Sequence, residues 1–316
     1  MKHVQLLARR LLQAAVSVVA IAALCFLAAQ ALPGDAAAKV MIARFGEDFA
    51  SGALADLIRA EIGLDRPVLL RFAEWLAAFA HLELGRSVVT GRPVVQEIAH
   101  HLGATAWLVA AAWPLSIAIA LPLGAWVGTR RAAWPEAASS MASAAVVAVP
   151  PYVLASVLTL VFALDLGWLP VAGLESWRHV VLPAATIAIG AAARSSRIVA
   201  ASVRAVYASQ PIAFARTKGL PPGWVFRWHG LRPAAGPVVA YLALQLAYVA
   251  EGAVVVETVF AYPGLGRLLV RAVLERDIPI VQGVTMFAVL VFVAANGLAD
   301  LLNRRIDPRP GSRAIA

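Results

Sequence analysis

An uncharged run that starts at Pro233 is interrupted by one carboxylate, Glu251, and closed by a second, Glu257. A carboxylate inside a membrane span is a functional candidate, because lipid offers it no partner. Glu251 is suited to meet a cationic terminus or a metal, and together with Glu257 it could carry protons in a secondary transporter. The plainer account is a side chain hydrogen-bonded where two subunits meet. His100 and His101 suggest a metal, but neighbours on a helix point about 100° apart and cannot clamp one ion unaided. Phosphate chemistry is missing from the chain: there is no GxxxxGK[ST] loop, and Gly264-Leu265-Gly266 follows a span on its outer side, away from cytoplasmic nucleotide. Glu97-Ile98-Ala99-His100 lacks the first histidine of a zinc-protease motif. No nucleophile, base and orienting group assemble, so the chain is expected to have no catalytic residue, no metal site and no cofactor of its own.

The elements that position these residues are membrane spans. Of 316 residues, 61% are hydrophobic and 14% charged, with a mean hydropathy of +0.78; an ordinary soluble domain carries about a quarter charged residues. A crossing helix needs about 20 apolar residues. Uncharged runs cover Leu11 to Leu32, Leu102 to Thr129, Ala137 to Leu164 and Ile278 to Ala299, and Pro233 to Val256 joins them if Glu251 faces protein or water. Val180 to Ala193 is shorter and ends at Arg194, whose side chain can reach toward the interface. Pro150 and Pro151 remove amide donors from the third run and are placed to kink it.

Six spans with both termini inside put Lys2, Arg9, Arg10, Arg130, Arg131, Arg304, Arg305, Arg309 and Arg313 on the cytoplasmic face. The segment from Pro33 to His101 has seven Lys or Arg against nine Asp or Glu and suits the outside. The net charge of +9 is then topological and does not call for nucleic acid. The single cysteine, Cys25, excludes an intramolecular disulfide. Ala29-Gln30-Ala31 resembles a signal cleavage site, but the apolar stretch before it is long enough for an uncleaved anchor. In the outer segment, Leu69, Phe72, Leu76 and Phe79 recur at helical spacing and predict an amphipathic helix on the membrane or the bundle. Arg276 and Asp277, in a later outer turn, read as gate or receptor-facing residues or, more plainly, as an exposed ion pair.

Between the fourth and fifth spans lies a loop with seven basic residues and no acidic one from Arg194 to Pro237. Ser209 or Gln210 can cap a helix there, Pro211 suits its first turn, and Gly219 is placed to end it in a left-handed conformation. Pro221, Pro222 and Gly223 forbid its continuation. A two-turn helix is unstable alone, so it packs either on a partner or in the lipid interface with Trp224 and Trp228 as anchors.

FARTKGL with its basic aromatic sequel, GAVVVETVFAYPGLGRLLVRAVLERDIPIVQGV, GLDRPVLLRFAEWL, LGRSVVTGRPV, the Pro150-Pro151 pair and DLLNRRIDPR together resemble the inner-membrane permeases of binding-protein-dependent ABC importers for dipeptides, oligopeptides and nickel. The likeness is to the subunit type with a long periplasmic segment after its first span. It implies an all-α, six-span, type I importer permease fold: residues 1–32 as cytoplasmic tip and first span, 33–101 as periplasmic segment, 102–302 as permease core, 303–316 as cytoplasmic tail. It implies that the loop 200–235 couples to ATPase subunits through Pro211, Ile212, Ala213, Phe214, Ala215, Arg216, Thr217, Lys218 and Gly219. Pro150, Pro151, Glu251 and Glu257 are then candidates for the transport path. The implied partners are a second permease, two cytoplasmic ATPase subunits that use ATP and magnesium, a periplasmic binding protein and membrane lipid, in a multi-pass chain of the bacterial inner membrane. The solute implied is a di- or oligopeptide, or nickel or a metallophore. Gln210, Pro211, Ala213 and Phe214 depart from the acidic residue, aromatic, arginine and threonine of the family motif. Against proton coupling through Glu251 and Glu257 stands the lack of an inverted repeat between the two halves.

Overall fold

The computed structural model describes residues 16–27, 57, 66–81, 83–130 and 132–306. The residues at 29–31, the N-terminal charges and the tail beyond 306 lie outside them. Apart from an isolated bridge between Arg86 and Pro93, regular structure among the described residues is helical. The helices are α1 (Val16–Leu27), α2 (Val68–Ala80), α3 (Val94–Thr129), α4 (Ala133–Ala148), α5 (Pro151–Leu158, continued in wider turns as Thr159–Asp165), α6 (Arg178–Tyr207), α7 (Gln210–Thr217), α8 (Leu231–Val259), α9 (Leu265–Glu275) and α10 (Ile278–Ile306). A short lead-in, Pro222–Val225 and Phe226–Gly230, runs into α8.

By length and composition, α3 and the stretch Gly223–Val259 are long and apolar enough to cross a membrane. The third apolar run breaks instead: α4 and α5 meet at 95° across Val149 and Pro150. Neither Pro150 nor Pro151 has an amide hydrogen for the carbonyls one turn back, and Val149 is extended at ψ 121°. The predicted kink is therefore a sharp corner. The fourth run is longer than its uncharged core, since α6 extends for 30 residues, about 45 Å at 1.5 Å per residue.

Two compact units divide the chain: Met1–Ala104 with Pro263–Val293, and Thr105–Tyr262 with Ala294–Ala316. In the first, Val94 and Ile98 of α3 pack with Ala272 of α9 and with Ile280 and Val284 of α10. A methyl on Gly283 would meet Val94 Cγ1 at 2.5 Å, so that approach needs glycine. Of the expected face of α2, Phe72, Leu76 and Phe79 are half-buried, and Trp75 joins them. Phe72, Trp75 and Phe79 line up by rings 6.1 Å apart, with Phe26 of α1 5.3 Å from Phe72, whereas Leu69 stays 83% exposed.

In the second unit α6 is the central helix, packed by α4, α5, α7 and α8. Burial by other helices lets it be built of Ala, Ser and Gly, which is why its hydropathy signal is weak. Gly124 and Gly128 of α3 lie so close to it that an added methyl would strike the carbonyl oxygens of Ser196 at 2.5 Å and Ala200 at 2.7 Å. This is a small-xxx-small contact between spans. Gln245 of α8 donates to the Ala191 carbonyl at 2.9 Å and to the Ser195 hydroxyl, fixing the register of α6 against α8. An ion pair between Arg204, in the last turn of α6, and Glu136, in the first turn of α4, puts those two ends on one side. The amide of Gly173 donates to the Phe260 carbonyl at 3.0 Å, so the loop before α6 and the end of α8 share the other. Exposed tryptophans mark both sides, Trp126, Trp134, Trp224 and Trp228 on the first and Trp168 and Trp177 on the second, as expected of aromatic belts at membrane interfaces.

Candidate functional site

Helix α7 spans Gln210–Thr217, within a residue of the expected bounds, and Gly219 follows at φ +76° in the left-handed region. Ser209 stands at the cap position, but only its carbonyl serves the helix, accepting from the Ala213 amide at 3.1 Å. Its hydroxyl donates back to the Val206 carbonyl at 2.6 Å. The helix has two unlike faces. Ile212 and Ala215 are buried in a core with Val199, Val203 and Val206 of α6 and Val238 and Leu242 of α8. Pro211, Ala213, Thr217, Lys218 and Gly219 are exposed, and Phe214 is 63% exposed with the Lys218 ammonium 4.6 Å from its ring centroid. Two turns are thus held by their own chain, and the expectation that such a helix needs an outside body to form is corrected. What remains uncovered is an aromatic ring with a cation on it.

Pro150 and Pro151 occupy the corner between α4 and α5, and Pro151 lines a cavity of about 100 Å³ beside α6 and α8. Glu251 is exposed. Glu257 is fully buried and accepts a hydrogen bond from the Thr105 hydroxyl at 2.6 Å. The two carboxylates, six residues apart on α8, therefore occupy different environments: one on an open face, one closed inside the unit. Next to Glu257, the Tyr262 hydroxyl is buried without a hydrogen-bond partner among the described residues. Burial and then the neighbouring carboxylate push its pKa up to about 12.

The first unit holds a site that the sequence reading missed. Asp277 and Arg276 are 3% and 7% exposed, so the exposed ion pair is overturned. Asp277 accepts from the Ser87 hydroxyl, from the Val88 amide at 3.2 Å and from the Ile280 amide at 3.4 Å. Ser87 is the pivot of the loop 86–93: its Oγ also accepts from the Thr90 amide at 2.8 Å and the Val89 amide at 3.3 Å. Burial pushes the Asp277 carboxyl above the usual range, and the Ser87 hydroxyl and backbone amides pull part of the way back. LGRSVVTGRPV and RDIP were each visible as motifs, but a partnership across 190 residues leaves no local signature. Beside this lock is a cavity of about 210 Å³ lined by Glu97, His101, Arg267, Arg271 and Glu275 among others. His101 Nδ1 is 2.8 Å from the Glu97 carbonyl of its own helix. Among the described residues no group of three metal-ligating side chains comes together.

Residues 120–311 match the family described as the binding-protein-dependent transport system inner membrane component, and residues 3–109 match its N-terminal companion. The chain is 34% identical over 300 residues to the glutathione transport system permease protein GsiC of Escherichia coli (strain K12), covering 95% of this chain and 96% of that protein. The protein of the same name from Salmonella choleraesuis (strain SC-B67) is 33% identical over the same length. Among solved structures, the crystal structure of an amino acid ABC transporter with histidines aligns with a TM-score of 0.55 at 17% identity, over 67% of this chain and 94% of that one.

Proposed function

The chain belongs to the family of inner-membrane permease components of binding-protein-dependent ABC importers, and from that premise we propose that it forms, with a second permease, the path for a peptide-like solute. The spans would number six, with both termini inside. A periplasmic binding protein would deliver the solute, and two separate cytoplasmic ATPase subunits would hydrolyse ATP with magnesium. A small peptide is favoured because relatives matched over nearly their whole length are named for glutathione transport.

One observation carries the coupling assignment: α7 buries Ile212 and Ala215 in its own chain while presenting Phe214 outward. A surface ring beside Lys218 suits a groove on another protein, with Pro211, Ala213 and Thr217 around it and Gly219 as the stop. Gln210, Pro211, Ala213 and Phe214 would adapt that contact to its own ATPase, an apolar anchor replacing polar ones. The rival proton-coupled reading is weakened by geometry, because the closed-in Glu257 and the exposed Glu251 do not share one face.

The test is purification of the tagged chain from its native membrane. Two ATPase subunits and a second permease are expected with it; a lone homodimer would count against the reading. Phe214→Asp should abolish ATPase copurification and leave the permease pair intact, and unchanged ATPase recovery would remove Phe214 from the contact.

A further inference from the structure

Arg194 lies about 24 Å along α6 from its outer end, toward the inner side of the roughly 30 Å hydrocarbon depth. Its side chain is exposed and makes no ion pair or hydrogen bond with the described residues. A guanidinium at that level turns to water, to solute, to protein or to the inner interface rather than to lipid. The local surface favours the first two. Arg194 lines the cavity of about 100 Å³ at the corner of the broken span, with Val149, Pro151, Gly190, Tyr248 and Gly252. Gly190 and Gly252 leave space: a methyl on either meets nothing within 4 Å. Gln245, bonded to Ala191 and Ser195, fixes the level at which α8 passes Arg194. Tyr248, half exposed, lies one turn outward of Gln245.

We propose that Arg194, with Tyr248 beside it in the cavity and opened to the path by the Pro150–Pro151 corner, is a recognition site for a carboxylate of the transported solute. A guanidinium offers paired donors matched to a carboxylate, and the Tyr248 phenol of the same cavity can help complete the shell. The site rests on the permease reading above and gives it a chemical class: solutes that carry a free carboxylate. The path provides the water that keeps Arg194 charged before the solute arrives.

The test needs no knowledge of the natural solute. In a chain with Cys25→Ala, Gly190→Cys sets a thiol one turn, about 6 Å, from Arg194. The complete transporter in nanodiscs is treated with two thiosulfonate reagents of similar size, one bearing a sulfonate and one a quaternary ammonium, and labelling of this chain is followed by mass. The anionic reagent should react faster by about tenfold, as expected for one unit charge at that range in partly screened surroundings. Arg194→Gln should erase the preference and Arg194→Lys should keep most of it. A thiol that reacts with neither reagent until the protein is denatured would show that the surface is sealed against the second permease and overturn the proposal. So would a preference unchanged by Arg194→Gln. Recovery of ATPase subunits is scored on the same preparation, so failure of the carboxylate site is separable from failure of the assembly.

Discussion

Removing the Ser87 hydroxyl is the sharpest probe of the outer unit. Ser87→Ala takes a donor from Asp277 and an acceptor from the Val89 and Thr90 amides, and leaves a nearly buried carboxylate less satisfied. A hydrogen bond to a charged group is worth about 1.5–3 kcal/mol, so we expect local destabilisation of about 2 kcal/mol at neutral pH. That corresponds to an opening of the loop 86–93 populated about thirtyfold more often, since each 1.4 kcal/mol is about tenfold. Hydrogen exchange read at Ser87 and Gly91 reports this cleanly. Their amides donate to the carbonyls of Arg92 at 2.9 Å and Ser87 at 3.0 Å, acceptors that the substitution leaves in place. The pH dependence has a definite sign. Asp277 has a folded pKa raised above its unfolded value, so the folded loop holds the proton more tightly. The cost of burying the charge is absent below the unfolded pKa, grows as pH rises, and is complete above the folded pKa. Ser87→Ala raises the folded pKa further, and its deficit should shrink at low pH, where a neutral carboxyl loses only an ordinary hydrogen bond. Exchange within threefold of the parent chain at neutral pH, or a deficit equal at both pH values, would refute the reasoning.

Tyr262→Phe removes a buried hydroxyl that has no hydrogen-bond partner among the described residues, so the variant should melt at the same temperature as the parent or higher, by fluorescence in mild detergent. Gly124→Val drives its side chain into the Ser196 carbonyl and should sharply lower the folded protein recovered from membranes as a fluorescent fusion, whereas Gly103→Ala, with open space around it, should not. Gly219→Val forces a β-branched residue to φ +76°, at about 1–3 kcal/mol, and should reduce ATPase copurification more than Gly219→Asn does. Gln245→Leu should cost about 1 kcal/mol in thermal stability, because two bonds to α6 disappear, and a melting curve identical to the parent's would show that register is held elsewhere.

Helices that face lipid could be read from the chain because composition alone declares them, as with α3 and the stretch ending at Val259. The short helix α7 was legible through punctuation: Pro211 at one end and Gly219 at the other. What composition could not show was rotation. Glu251 and Glu257 are both path candidates by sequence, at different depths, and only the facing of α8 separates the open one from the one bonded to Thr105. Gly124 and Gly128 carried a readable spacing for close helix contact that the sequence reading passed over. The uncharged run of the fourth span stops at Arg194, whereas α6 continues beyond it for more than three turns. Asp277 and Ser87 illustrate the remaining limit, since a contact made by the fold's return to an earlier segment has no period to detect.

The footing of α7 has a mechanical consequence. Ile212 and Ala215 rest on α6 and α8 through apolar contact alone. Such contact resists compression, because packed side chains cannot be squeezed, yet it offers little against separation or sliding. Tension must travel instead through the backbone at Ser209, whose amide and hydroxyl both bind the last turn of α6 through the Val206 carbonyl. On the coupling assignment proposed above, an inward thrust on α7 would be shared by two spans at once, while a pull would be felt first by α6. The hinge would be stiff in one direction and compliant in the other, which is the behaviour of a ratchet pawl rather than of a rigid rod.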